Sequence, residues 1–108
     1  MADILVIDDQ DRTIELCRRI MPEHQWHGPA RCWEEARQAL VEAGGDFGLL
    51  LLDVHFDIEP ELLLGLSDGH TEADLKRARR VQGVEILGAL RRSWPDLPVV
   101  LMTSRGVA

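Results

Sequence analysis

A chain of 108 residues suffices for one domain with one core, and 45% hydrophobic with 29% charged residues is ordinary for a folded globular protein. The net charge of −7 argues against this segment gripping nucleic acid by itself, because such binding rests on clustered Lys and Arg facing phosphates. No apolar stretch is long enough to span a bilayer, and Cys17 and Cys32 lack the CxxC spacing of a zinc or redox site, so they read as reduced, mostly buried thiols.

The first strand is expected at roughly Asp3 to Ile7. A helix follows, with Asp11 placed as N-cap, Ile14, Leu16, Cys17 and Ile20 as its apolar stripe, and Pro22 ending it. Gln25 to Arg31 is a weak strand interrupted by Gly28-Pro29, which suits an edge. Trp33 to Ala43 reads as a second helix, stopped by Gly44-Gly45. Phe47 to Val54 is a strand, Val84 to Trp94 a long helix, and Val99 to Met102 a last strand running into Thr103-Ser104. The alternation predicts an α/β fold with a parallel sheet and right-handed crossovers. Residues 55–82 break the alternation. They contain Asp57, Glu59 and Glu61 around Pro60, then Thr71-Glu72-Ala73-Asp74 resembling a capping box, and a short basic helix with Lys76, Arg77, Arg79 and Arg80.

The chemistry lies where apolar strands end in acid. Ile4-Leu5-Val6-Ile7 runs into Asp8-Asp9, and Leu49-Leu50-Leu51-Leu52 runs into Asp53. Continuous apolar runs fit strands buried on both faces of a parallel sheet, and such sheets bind ligands at the carboxyl ends of their strands. If the two strands are neighbours, three carboxylates converge. Their repulsion calls for a cation or shifted pKa values. Mg²⁺ suits an all-oxygen donor set, and phosphoryl chemistry suits Mg²⁺.

These residues, with Ala30 and Ala36 around Trp33-Glu34-Glu35, Gly83-Val84-Glu85-Ile86-Leu87, and Leu97-Pro98-Val99-Val100-Leu101-Met102-Thr103-Ser104, resemble the receiver domain of two-component response regulators. The resemblance covers nearly the whole chain. It implies a flavodoxin-like, doubly wound parallel sheet, truncated after the fourth strand, over residues 1–108 with an insertion at about 55–82. Asp53 matches the phosphoacceptor, which takes a phosphoryl group from a sensor histidine kinase. Asp8, Asp9, Asp53 and the main-chain carbonyl of His55 match the Mg²⁺ ligands. Thr103 matches the switch hydroxyl, and Ser104 the small residue beside it. Such a domain assists its own aspartyl phosphorylation and dephosphorylation and is not a turnover enzyme. The implied partners are the kinase and an output domain, linked or separate, such as a DNA-binding transcription activator. The implied compartment is the cytoplasm, in keeping with a chain that enters a strand at once without a signal peptide.

Two departures from the family bear on function. The segment after Asp53 is long, with Phe56-Asp57 where Met-Pro is common, so Asp57 is a candidate fourth acid at the site and the segment a candidate lid, partner surface or solvated charged helix. The family's fifth-strand lysine has no counterpart here. An uncovered fourth strand and first helix predict self-association of the fragment. The alternative function is a pseudo-receiver, an interaction module working without phosphorylation. An aspartate-nucleophile phosphohydrolase fits less well, because Asp8-Asp9 is not a D-x-D pair. His24, His27, His55 and His70 form no zinc spacing, and Trp26, Trp33 and Trp94 read as packing or surface residues.

Overall fold

The computed structural model describes residues 2–103. β1 spans Asp3–Ile7 and α1 runs from Arg12 to Ile20. Then come β2 (Gln25–Ala30), α2 (Trp33–Glu42), β3 (Leu49–Asp53), a 3-10 turn (Pro60–Leu62), α3 (Glu72–Arg80), α4 (Gln82–Ser93) and β4 (Val99–Met102). The four strands form one parallel sheet in the order β2-β1-β3-β4. This is the doubly wound, flavodoxin-like order, in which the winding reverses between β2 and β3. No helix among the described residues is long and apolar enough to cross a membrane.

The core lies on the α2/α4 side. Leu5, Ile7, Leu50 and Leu52 point there by strand alternation and pack with Ala36, Leu40, Ile86 and Leu90. On the opposite face Ile4, Val6 and Ile14 are buried, but Leu16 and Ile20 of α1 and Val100 of β4 are exposed. The predicted apolar stripe of α1 is therefore used only in part. Only Ile14 is fully packed, since a nine-residue helix lying on a sheet turns one narrow line of side chains inward. Asp11 also departs from expectation. It precedes α1 but has helical φ and ψ, and its carboxylate makes no cap. It accepts from the Arg31 guanidinium instead.

β3 is shorter than the predicted Phe47 to Val54, and Leu49 and Leu51 are only half-buried while Leu50 and Leu52 are completely so. β2 is an edge strand, as its Gly28-Pro29 predicts. The register with β1 shifts between Leu5 and Ile7, and the Gly28-Pro29 peptide is cis. Gly28 has φ 107°, and a Cβ there would stand 2.6 Å from the Val6 carbonyl oxygen, so glycine is required for this close approach. The capping box of α3 forms as predicted: Asp74 N–H donates to Thr71 Oγ1 (3.1 Å), and Thr71 N–H donates to Asp74 Oδ2 (3.0 Å).

Candidate functional site

Because Ile7 is the register partner of Leu52, the residues that follow, Asp8 and Asp53, leave the sheet side by side at its carboxyl edge. Asp9 joins them. One carboxylate oxygen from each of Asp8, Asp9 and Asp53 lies within 4.8 Å of the others. The convergence expected from the sequence is present, and it follows from β1 and β3 being neighbours.

Each acid is held differently. Asp8 is 4% exposed, and its two oxygens accept from Gln10 N–H (3.0 Å) and from the Thr13 hydroxyl (2.7 Å). The first turn of α1 thus fixes Asp8 against the sheet. Asp53 is 7% exposed and accepts from the N–H of Val54 (2.9 Å). Asp9 is half-buried, and its Oδ2 accepts from the N–H of Asp57 (3.1 Å).

Burial raises the pKa of Asp53 to about 6, with the charges of Asp8 and Asp9 adding to the rise and the Val54 N–H opposing it. Burial raises that of Asp9 as well, opposed by the Asp57 N–H and reinforced by Asp8. Three crowded carboxylates in a partly dry pocket are a hard-oxygen donor set short of positive charge. That is the chemistry of a Mg²⁺ seat, and the residues present fit the ion. Among the described residues this is the one group of three or more such side chains close enough to share a metal.

The remaining predicted residues lie around this edge. Thr103 directly follows Met102, the register partner of Asp53, and is exposed. His55 is half-buried two residues past Asp53. Ser104 falls outside the described residues. Asp57 corrects an expectation: its carboxylate is not in the cluster but stands 64% exposed, 3.9 Å from Arg79 Nε. The residue contributes its main-chain N–H to Asp9, because the chain turns there to bury Phe56 and leaves the Asp57 side chain outward.

Thr13 and Gln82 were not singled out along the chain, and Gly83 stood there only within the family resemblance. Thr13 was hidden as an ordinary first-turn residue. Gly83 packs so closely on β3 that a Cβ would lie 2.1 Å from the Asp53 carbonyl oxygen, while its N–H donates to Val54 O (2.8 Å). Gln82, fully buried, closes the 55–82 segment: its Oε1 accepts from Leu64 N–H (2.7 Å) and its Nε2 donates to Leu64 O (3.0 Å). A buried amide satisfied in this way acts as a local latch. A polar residue beside Gly83 at the head of an amphipathic helix was the available signal.

No family model matches the chain, and no curated protein matches it closely enough to count. Solved structures of NtrX from Brucella abortus, a response regulator, share its fold. The ADP complex superposes with a TM-score of 0.64 at 24% identity over 97% of this chain, and the ATP complex with 0.61 at 24% identity over 93%. This chain spans only 19% and 18% of those two chains. The likeness establishes a common fold, an α/β domain with one four-stranded parallel sheet.

Proposed function

We propose that the chain is a phosphoacceptor receiver domain that takes a phosphoryl group onto Asp53 and thereby switches a partner or output activity. The observation that carries this reading is the meeting of Asp8, Asp9 and Asp53 within 4.8 Å at the ends of two neighbouring parallel strands. The receiver resemblance of the sequence and the response-regulator neighbours in fold point the same way.

The chain's own residues divide the work. Asp53 is the nucleophile: its carboxylate oxygen forms a bond to phosphorus as the bond from phosphorus to the donor, a phosphohistidine imidazole nitrogen of a sensor kinase, breaks. The imidazole leaves with the electron pair and takes up a proton. A carboxyl with a pKa of about 6 is mostly ionised at neutral pH and so available to attack. Asp8 and Asp9 would hold Mg²⁺ with Asp53 and the main-chain carbonyl of His55. Bound there, the ion offsets charge on the transferring group. Thr13 and the N–H of Gln10 keep Asp8 oriented. Thr103 is the hydroxyl for the phosphoryl oxygen, and Ser104 matches in sequence the small residue that follows it in the family. In this reading the protein is a partner in its own modification, not a turnover enzyme, and it works in the cytoplasm beside a histidine kinase.

The test is intact mass after incubation with Mg²⁺ and a small phosphodonor. One added phosphoryl group, absent without Mg²⁺ and absent in Asp53→Asn, is the expected result. Mg²⁺ binding with no addition in the wild type, repeated with the kinase-borne phosphohistidine as donor, overturns the acceptor role and leaves an interaction module.

A further inference from the structure

We propose that Arg79, in the last turn of α3, is a positioning residue for the acid site, and that through it the 55–82 segment is coupled to metal occupancy. The inference rests on reading the three carboxylates as a Mg²⁺ seat.

Three consecutive residues, Phe56, Asp57 and Ile58, link α3 to the acids. Phe56 and Ile58 are both tied to Arg79: Phe56 N–H donates to the Arg79 carbonyl oxygen (2.9 Å), and Arg79 Nε donates to the Ile58 carbonyl oxygen (3.0 Å). Between them, Asp57 directs its N–H at Asp9 Oδ2 (3.1 Å). One residue thus clamps the peptides on either side of the one that orients a carboxylate. The clamp is anchored from the core by Phe56, which is fully buried, and from α4 by the bond between Gly83 N–H and Val54 O. The Arg79 side chain is 28% exposed and Asp57 64%, so the 3.9 Å ion pair between them is solvent-screened. The bonds to Phe56 and Ile58 therefore carry most of the positioning.

Orientation of Asp9 matters because Mg²⁺ demands near-octahedral ligand placement and adapts little to misaligned donors. The Asp57 N–H donates to Oδ2 of Asp9 and so restrains the orientation of that carboxylate. Outer partners of metal ligands commonly change affinity by 10–100-fold, and an indirect one belongs at the low end. Binding coupling is reciprocal: if Arg79 strengthens Mg²⁺ binding, then Mg²⁺ steadies the Asp57 peptide and the end of α3. The 55–82 segment becomes a reporter of the site instead of a passive covering.

The experiment is calorimetric Mg²⁺ titration of the 108-residue chain and of Arg79→Ala, Arg79→Lys and Arg80→Ala, with amide hydrogen exchange measured with and without Mg²⁺. Arg80 is exposed on the same helix and removes the same charge, so it controls for the general field. Expected are a Kd for Arg79→Ala raised by about tenfold, partial recovery in Arg79→Lys, little change in Arg80→Ala, and faster metal-free exchange of the Asp57 amide in Arg79→Ala. Wild-type binding with equal Kd values for Arg79→Ala and Arg80→Ala overturns the positioning role and leaves the metal seat standing. No Mg²⁺ binding by the wild type overturns the seat and the coupling together. An Asp57 exchange rate unchanged by Arg79→Ala, which deletes the Nε bond to Ile58 and keeps the main-chain bond to Phe56, overturns the positioning role of the Arg79 side chain, with or without metal.

Discussion

The acids and the segment that backs them are built on opposite principles. Asp8 and Asp53 stand on the ends of strands whose side chains are packed in apolar contact, with Leu5, Ile7, Leu50 and Leu52 wholly or almost wholly buried. Residues 55–82 contribute little to that core beyond Phe56, with Ile58 and Leu64 packed against it, and hold their shape with discrete polar fasteners: Gln82 on Leu64, Arg79 on Phe56 and Ile58, and the Thr71–Asp74 box. Apolar burial is shared among many neighbours and fails cooperatively, whereas a single polar fastener can open without unfolding the domain. The site is therefore rigid from below and adjustable from the side.

The comparison breaks most visibly in the sheet. Leu52→Ala deletes a fully buried side chain beside Asp53 and should lower global stability by about 3–4 kcal/mol, read as a shifted midpoint in urea unfolding. At the seam between the regions, Gly83→Ala forces a Cβ onto the β3 backbone, and a loss of about 3 kcal/mol is expected in the same measurement. An unchanged midpoint would mean that α4 shifts freely from β3.

Within the segment the losses should be smaller and local. Gln82→Ala strands both the N–H and the carbonyl of Leu64 and should cost about 2 kcal/mol, seen first as faster hydrogen exchange around Leu64. Thr71→Ala removes one arm of the capping box. A cost of about 1 kcal/mol to α3, with the global midpoint hardly moved, is expected. If either variant lowers the global midpoint as much as Leu52→Ala, the two regions are one cooperative unit.

The pH dependence of the strand-borne site sharpens the contrast. Folding raises the pKa of Asp53 to about 6, so the folded chain favours its protonated form. That contribution is fully present below the unfolded value of about 4 and is lost as pH rises through about 6. Asp53→Asn escapes the loss. It should be more stable than wild type by about 1 kcal/mol near pH 8, solvent screening having been allowed for, with the gap closing below about pH 4. A gap that stays constant across this range would show that Asp53 ionises without strain.

Much of this was legible along the chain because its causes are local. The limits of β1 and β4 follow from apolar runs ending at Asp8 and Thr103, and α2 starts at Trp33 as its periodicity requires. The Thr71–Asp74 box is a spacing of three residues and can be read directly. Gly28-Pro29 marks β2 as an edge because proline cannot donate to a ladder. Asp11 misled because a cap depends on the backbone of the capping residue and on competitors, and Arg31, twenty residues on, took its carboxylate.

By itself, then, the sequence determined the elements, the parallel class of sheet and the three acids at strand ends, since period, turn chemistry and strand polarity are carried by neighbouring residues. Only the tertiary structure decided that β1 and β3 are adjacent, that Asp57 faces Asp9 with its N–H and not its carboxylate, that Arg79 clamps that peptide, and that Leu16 and Ile20 stay exposed on α1. Those outcomes depend on which surfaces meet after the chain has folded, and each joins residues too far apart for any local pattern to register.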